Sequence, residues 1–296
     1  NPYIISIGTA LPATRYSQEE LRAAYYESAG DQMQPRSLRI MNKIFTARNG
    51  IDTRAIACAE PRSIANEGVD ELHDRFQRNA IELGTEALQA ALSNASMEPS
   101  AIRALVAVTC TGYLCPGLTS YLAEQLGMRE DLQVFDLVGM GCGASVPALN
   151  LAQQLVRNAA EWPVAVVASE VCSATAYFDD DPELIVSNCI FADGAAAAIV
   201  AGRNGDEGRG SRPAIELLDF ESSLWPEYRD RLRFRQSGGR LRNCLSRDVP
   251  ELAAEMASRS LQRLLGRNQL RQSDIALWAV HPGGKRVLER FAVQFG

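Results

Sequence analysis

Two stretches of this chain repeat one another at a fixed distance, and no other feature narrows the possible folds as far. Leu88 to Ile102 aligns with Leu261 to Ile275 without a gap, an offset of 173 residues. Leu88, Gln89, Leu92, Ser100 and Ile102 recur as Leu261, Gln262, Leu265, Ser273 and Ile275. Each copy reads as the end of an amphipathic helix, a short loop, an apolar strand and a glycine-bearing loop. A duplicated helix–loop–strand unit implies two related α/β halves. The chain's 296 residues suffice for both. Polar, glycine-rich Gly202 to Ser211 is the natural joint, which gives halves 1–210 and 211–296.

Within the first half, Val134 to Val138 is apolar and β-prone, and Ala144 to Val156 has a helical apolar face. Between them Gly139, Gly141 and Gly143 bracket Cys142. Glycines permit a sharp turn there. The helix start offers free N–H groups and a positive dipole end, which favour thiolate over thiol. Cys142 thus has two readings, a small buried hydrophobe or an activated nucleophile. Only two histidines occur, His73 and His281. His73 sits among charges on a helix and reads as exposed. His281 opens a His-Pro-Gly-Gly loop after the second-half strand Ile275 to Val280. In open α/β sheets, sites gather at the carboxyl ends of strands. Cys142 and His281 could therefore face one cavity as an acyl-transfer pair, with imidazole steadying the thiolate and donating to a thioester oxyanion.

Composition removes several classes. A net charge of −6 argues against a general nucleic-acid binder. No apolar run approaches the ~20 residues that span a bilayer. Seven cysteines at irregular spacing, with no C-x-x-C, suggest neither a disulfide framework nor a zinc site. The expectation is a protein of the reducing cytoplasm. Arg39, Lys43, Arg48 and Arg54 read either as a solvated helix face or as a clamp for an anionic ligand. Asp179, Asp180 and Asp181 read as a solvated loop. Ser17 and Glu20 form a capping box, and Gly238-Gly239 a hairpin turn.

Four segments carry a resemblance. Gly141-Cys-Gly-Ala144, Phe191-Ala-Asp-Gly-Ala-Ala-Ala197, Leu245-Ser-Arg-Asp-Val-Pro250 and Trp278-Ala-Val-His-Pro-Gly-Gly284 resemble, in order, type III polyketide synthases, the chalcone and stilbene synthase family. A bacterial alkylresorcinol- or alkylpyrone-type member is the nearest likeness. The resemblance implies an α/β thiolase-like fold of two similar βαβαβαββ halves in five αβαβα layers. Cys142 would carry the acyl starter, and His281 would hold the thiolate and assist decarboxylation of malonyl-CoA. Phe191 matches the aromatic gatekeeper. Cys172 and Thr175 match cavity-lining positions, and Cys115 a residue reaching the partner subunit, so a homodimer is implied. Arg39 and Lys43 match the basic set for coenzyme A phosphates, and Gly283 and Gly284 the loop along the pantetheine. No cofactor is implied: acyl-CoA and malonyl-CoA are substrates.

The chain also departs from the family. A Gly-Asn-x-Ser-Ser segment bearing a third catalytic residue is not found after His281, so the C-terminal half is expected to be incomplete. Asn243 stands where a second gatekeeper, usually phenylalanine, is expected, and Gly143 where plant members carry a bulky residue. Two other readings stay open, a ketoacyl synthase III-type enzyme making one condensation and a catalytically inactive binding partner of the same fold.

Overall fold

The computed structural model describes residues 1–47, 49–58, 60–202 and 214–296. The chain runs β1 (Pro2–Ala10), β2 (Arg15–Ser17), α1 (Gln18–Ala29), α2 (Pro35–Thr46), β3 (Thr53–Ala55), α3 (Val69–Ala95), β4 (Ala104–Thr109), α4 (Leu118–Gln125), β5 (Gln133–Val138), α5 (Ser145–Asn158), β6 (Val164–Val171), α6 (Pro182–Ile190), β7 (Asp193–Gly202), β8 (Ile215–Glu216), β9 (Leu232–Ser237), β10 (Arg240–Leu245), α7 (Val249–Arg267) and α8 (Lys285–Phe295).

One six-stranded sheet, ordered β5-β4-β6-β7-β1-β8, forms the centre. β4 pairs in parallel with β5 and with β6, while β7, β1 and β8 add antiparallel. Side chains alternate across a strand, and the sequence uses both faces. Leu105, Ala107, Ala165 and Val167 cluster with α3 and α4 on one side. Ala104, Val106, Val108, Val164 and Val166 cluster with α5 on the other. Strands covered on both faces read as unbroken apolar runs, as β4 and β6 do.

Helix α3 is longer than its most amphipathic part suggests. Leu72, Arg75, Phe76, Ala80, Leu83, Ala87 and Ala91 form its buried stripe. The charges of its first turns lie mostly on the opposite side. The stripe ends in small residues because α3 lies almost on the backbone of β1. A Cβ on Gly8 would stand 2.2 Å from the Ala87 carbonyl oxygen and 2.3 Å from the Ala91 nitrogen. The capping box forms as expected: the Glu20 N–H donates to Ser17 Oγ at 3.1 Å, and the Ser17 N–H to Glu20 Oε2 at 2.7 Å. The Gly238-Gly239 turn joins β9 to β10 with φ of 59° and 78°.

Three expectations need revision. Helix α6 starts directly after the three acids read as a solvated loop. Asp181 caps it, donors Glu183 N and Leu184 N lying 2.7 and 3.5 Å from Oδ1. Its neighbours are not simply solvated: Asp180 accepts from Gln34 N at 2.8 Å, and Asp179 and Asp181 pair with Arg242. Ile215 to Phe220 reads as a strand from its apolar residues, but only Ile215 and Glu216 form one. The expected strand Ile275 to Val280 does not form. A strand needs a neighbour to take its N–H and C=O groups, and among the described residues none lies beside it. Trp278 instead stacks on Phe295, centroids 5.4 Å apart.

The repeat survives in local detail. After α3 and α7 the chain makes matching 3-10 turns, Pro99–Ala101 and Gln272–Asp274, at the repeat's own offset. The joint expected at Gly202 to Ser211 lies, beyond Gly202, outside the described residues. Residues 1–202 supply five strands of the sheet and the helices on its two faces. Residues 214–296 contribute the edge strand β8, the β9–β10 hairpin, α7 and α8.

Gly8→Val should cost about 3 kcal/mol, the upper range for overpacking a core. Gly143→Ala should be neutral or stabilising by about 0.5 kcal/mol, because nothing lies within 4 Å of its added Cβ. Urea unfolding of the two variants tests both values.

Candidate active site

Three cysteines stand just past the carboxyl ends of three adjacent parallel strands. Cys110 follows β4, Cys142 lies four residues beyond β5, and Cys172 follows β6. The turn into Cys142 uses left-handed glycines, Gly139 at φ 78° and Gly141 at φ 62°. Gly141–Gly143 is a 3-10 turn that runs into α5. Cys142 is exposed at this turn, while Cys110 and Cys172 are half-buried.

Glu170, on β6, organises the strand ends. Its carboxylate accepts from the Cys110 N–H at 2.9 Å, the Thr111 N–H at 3.1 Å, and the hydroxyls of Thr111 and Thr109 at 2.7 and 3.2 Å. The Thr111 hydroxyl oxygen accepts in turn from Val171 N at 2.9 Å. This charge lies within reach of all three thiols. The atoms packed round Cys142 raise its pKa first, and Glu170 second; a bond from its own backbone acts the other way. Burial and then Glu170 push Cys110 far up. Burial, Asp193 and Glu170 do the same to Cys172. In this geometry the three favour the thiol form, and among the described residues no cation offsets Glu170 at Cys142.

The other expected residues fall into separate groups. Phe191, Cys172 and Thr175 come together, lining one void of about 10 Å³ with Arg54 and Asp193. Cys115 is exposed in the loop before α4. Arg39 and Lys43 are exposed on α2, with no acidic partner among the described residues. Arg36 lies on the same face. Arg48 lies outside the described residues. Arg54 does not belong with them. It is buried, donating to Gln18 at 3.1 Å and to the carbonyls of Asn188 and Phe191 at 2.7 and 2.8 Å. His281 is exposed before α8. Its carbonyl accepts from Gly283 N at 2.9 Å, and no hydrogen bond among the described residues joins it to Cys142. Without a ladder at Ile275 to Val280, nothing registers this loop against the end of β5. Gly284 takes φ 115° and caps α8. Asn243 is buried and donates to Ser187 Oγ, tying β10 to α6.

A larger cavity of about 510 Å³ adjoins Cys110. Cys110, Thr111 and Gly139 form its floor, Leu72 and Phe76 one wall, and the β9–β10 hairpin the other. His73 is exposed, as expected, and stands at the rim of this cavity.

Glu170, Asp193 and Arg75 were not singled out from sequence. The available signal was a charge set against apolar strand or helix positions. Such a residue is buried only with partners, and those partners are distant in the chain.

Removing the Glu170 charge should ease ionisation of Cys142. Glu170→Gln is expected to shift the pH profile of iodoacetamide alkylation at Cys142, read by peptide mass spectrometry, to lower pH. An unchanged profile would show that Glu170 does not act on that thiol.

Comparison with known proteins places this geometry. The FAE1/type III polyketide synthase-like family matches residues 3–268. The 3,5-dihydroxyphenylacetyl-CoA synthase of Streptomyces toyocaensis is 34% identical over 100% of this chain and 74% of its own length. The 1,3,6,8-tetrahydroxynaphthalene synthase of Streptomyces peucetius subsp. caesius is 28% identical over 96% of this chain and 74% of its own. Among solved structures, PKS-I from the brown alga Ectocarpus siliculosus superposes with a TM-score of 0.88 at 24% identity, covering 99% of this chain and 80% of that one. A type III pentaketide synthase from Neurospora crassa gives 0.84 at 26%, covering 99% and 81%. The fold is accordingly the thiolase-like α/β fold of these enzymes. The chain belongs to the FAE1/type III polyketide synthase-like family, whose members are condensing acyltransferases.

Proposed function

We propose that Cys142 carries the acyl chain of a decarboxylative condensation between an acyl-CoA and malonyl-CoA, and that the extended chain closes into a ring. The observation that carries this is the exposed Cys142 at a strand-to-helix turn past the carboxyl end of a parallel strand, where Gly139 of the same turn and Cys110 of the neighbouring strand line a cavity of about 510 Å³. Cys142, as thiolate, attacks the acyl-CoA carbonyl; a new thioester forms and coenzyme A leaves. Malonyl-CoA loses carbon dioxide, and its enolate carbon attacks that thioester and releases the Cys142 sulfur. His281 is assigned the partner role, holding the thiolate and donating to the enolate oxygen. Cys142 needs such a cation, since burial and Glu170 both favour its protonated form.

Phe191, Cys172 and Thr175 are assigned to the wall of the acyl site, and Cys115 to the subunit boundary of a homodimer. Gly283 and Gly284 are assigned to the pantetheine path. Arg39 and Lys43 would meet the phosphates of coenzyme A, their exposed and unpaired state suiting an anion that arrives from solvent. No cofactor is assigned. The relatives' names, a dihydroxyphenylacetyl and a tetrahydroxynaphthalene product, support ring closure. A cytoplasmic location is assigned with this function; no helix among the described residues is long and apolar enough to cross a membrane.

Two measurements test this reading. The full chain, given a panel of acyl-CoAs with malonyl-CoA, should show an acyl adduct by intact mass and cyclic products of several extensions; Cys142→Ala should show neither. A product extended once would indicate a ketoacyl synthase III-type reaction, and no adduct from any starter would remove Cys142 from catalysis. Replacing Arg39 and Lys43 by alanine together should raise KM for acyl-CoA about tenfold or more with kcat little changed, the pattern of lost uniform binding.

A further inference from the structure

Ser173 is held at every polar atom. Its N–H donates to Asp193 Oδ1 at 2.8 Å, and its hydroxyl to Asp193 Oδ2 at 2.6 Å. Its carbonyl accepts from Arg75 Nη1 at 3.1 Å. Asp193 also accepts from Ala57 N at 2.7 Å. The other Arg75 nitrogen pairs with Glu67. All three residues are shut off from water: Ser173 is 6% exposed, Asp193 2% and Arg75 5%. A chain of charged hydrogen bonds thus runs from α3, through one serine, to the first residue of β7.

Its position gives it a consequence. Ser173 lies between Cys172 and Thr175, and Phe191 lies two residues before Asp193. Cys172, Thr175 and Phe191 line the same void of about 10 Å³, roughly one water. One carboxylate therefore sits at the root of both walls. Apolar side chains would stabilise such a site as well as buried charges do. Charged hydrogen bonds add fixed direction and length. Arg54 reinforces the second wall through the Phe191 carbonyl at 2.8 Å.

We propose that Asp193 and Arg75 are positioning residues, which hold the Cys172–Thr175 turn against Phe191 and so set the length of acyl chain that Cys142 accepts. The proposal rests on the reading of Cys142 as the acyl acceptor. Neither residue touches the thioester; both act through Ser173. Loosening the turn widens the void and favours the longer chain.

The test offers the full chain equal hexanoyl-CoA and lauroyl-CoA and reads the ratio of Cys142 adducts by intact mass. Asp193→Asn keeps the size of the side chain but turns an N–H₂ group toward donors. It should raise the lauroyl-to-hexanoyl ratio about tenfold or more, the discrimination a misfitted methylene carries. Ser173→Ala, which loses one bond and no charge, should shift the ratio in the same direction and less. A purely structural role would lower both adducts together; a ratio equal to wild type in variants that keep a cooperative melt overturns the proposal. If Asp193→Asn does not fold, the ratio in Ser173→Ala decides. Malonyl-CoA consumption is followed separately. A wild type that forms adducts but consumes none sinks the synthase reading while the ratio still judges the clamp. A wild type that forms no adduct overturns both.

Discussion

The structure depends on how closely α3 approaches the sheet. Helix and strand meet at backbone distance because Gly8 presents no Cβ to Ala87 and Ala91. Interiors are close-packed, so a displacement at such a contact is transmitted rather than absorbed. Fixing α3 there also fixes its first turns, some fifteen residues away. Those turns carry Leu72 and Phe76 to the cavity and Arg75 to Ser173. The core contact and the geometry near the cysteines are therefore two ends of one rigid rod.

At the cysteines, one charge serves two ends. Glu170 pins the chain where β4 finishes, and the same carboxylate works against ionisation of Cys142. Its bonds give the loop its shape, while its field adds to burial in favouring the protonated thiols. A thiol in such a place ionises readily only beside a cation or a hydrogen-bond donor, and Cys110 and Cys172 are held more strongly in the thiol form than Cys142.

Much of this was legible in the residues. The apolar run after the first repeat copy gave β4, the Gly-Cys-Gly turn gave the strand-to-helix switch, and the short loop of each repeat copy forms as a 3-10 turn. Local signals of that kind carry their own partners within a few residues. What stayed hidden needed partners from elsewhere. Arg54 reads like its exposed neighbours Arg39 and Lys43 until Gln18, Asn188 and Phe191 fold over it. The segment Ile275 to Val280 has the composition of a strand, but composition supplies no neighbour, and unpaired it leaves Leu277 85% exposed. Asn243 stands at the position of the second gatekeeper, and its amide is spent on Ser187.

The three consecutive acids at 179–181 behave less like a charged patch than like a three-way joint. Asp180 reaches back to the start of α2, Asp181 opens α6, and Asp179 joins Asp181 in holding Arg242 of β10. Each carboxylate serves a different element because neighbouring side chains leave the backbone in different directions. Spacing, more than total charge, is what this segment has to keep. One inserted residue would hand every carboxylate the wrong partner with the net charge unaltered, whereas glutamate for aspartate would only lengthen the arms. Among homologous chains, length in this turn should accordingly be held more tightly than composition.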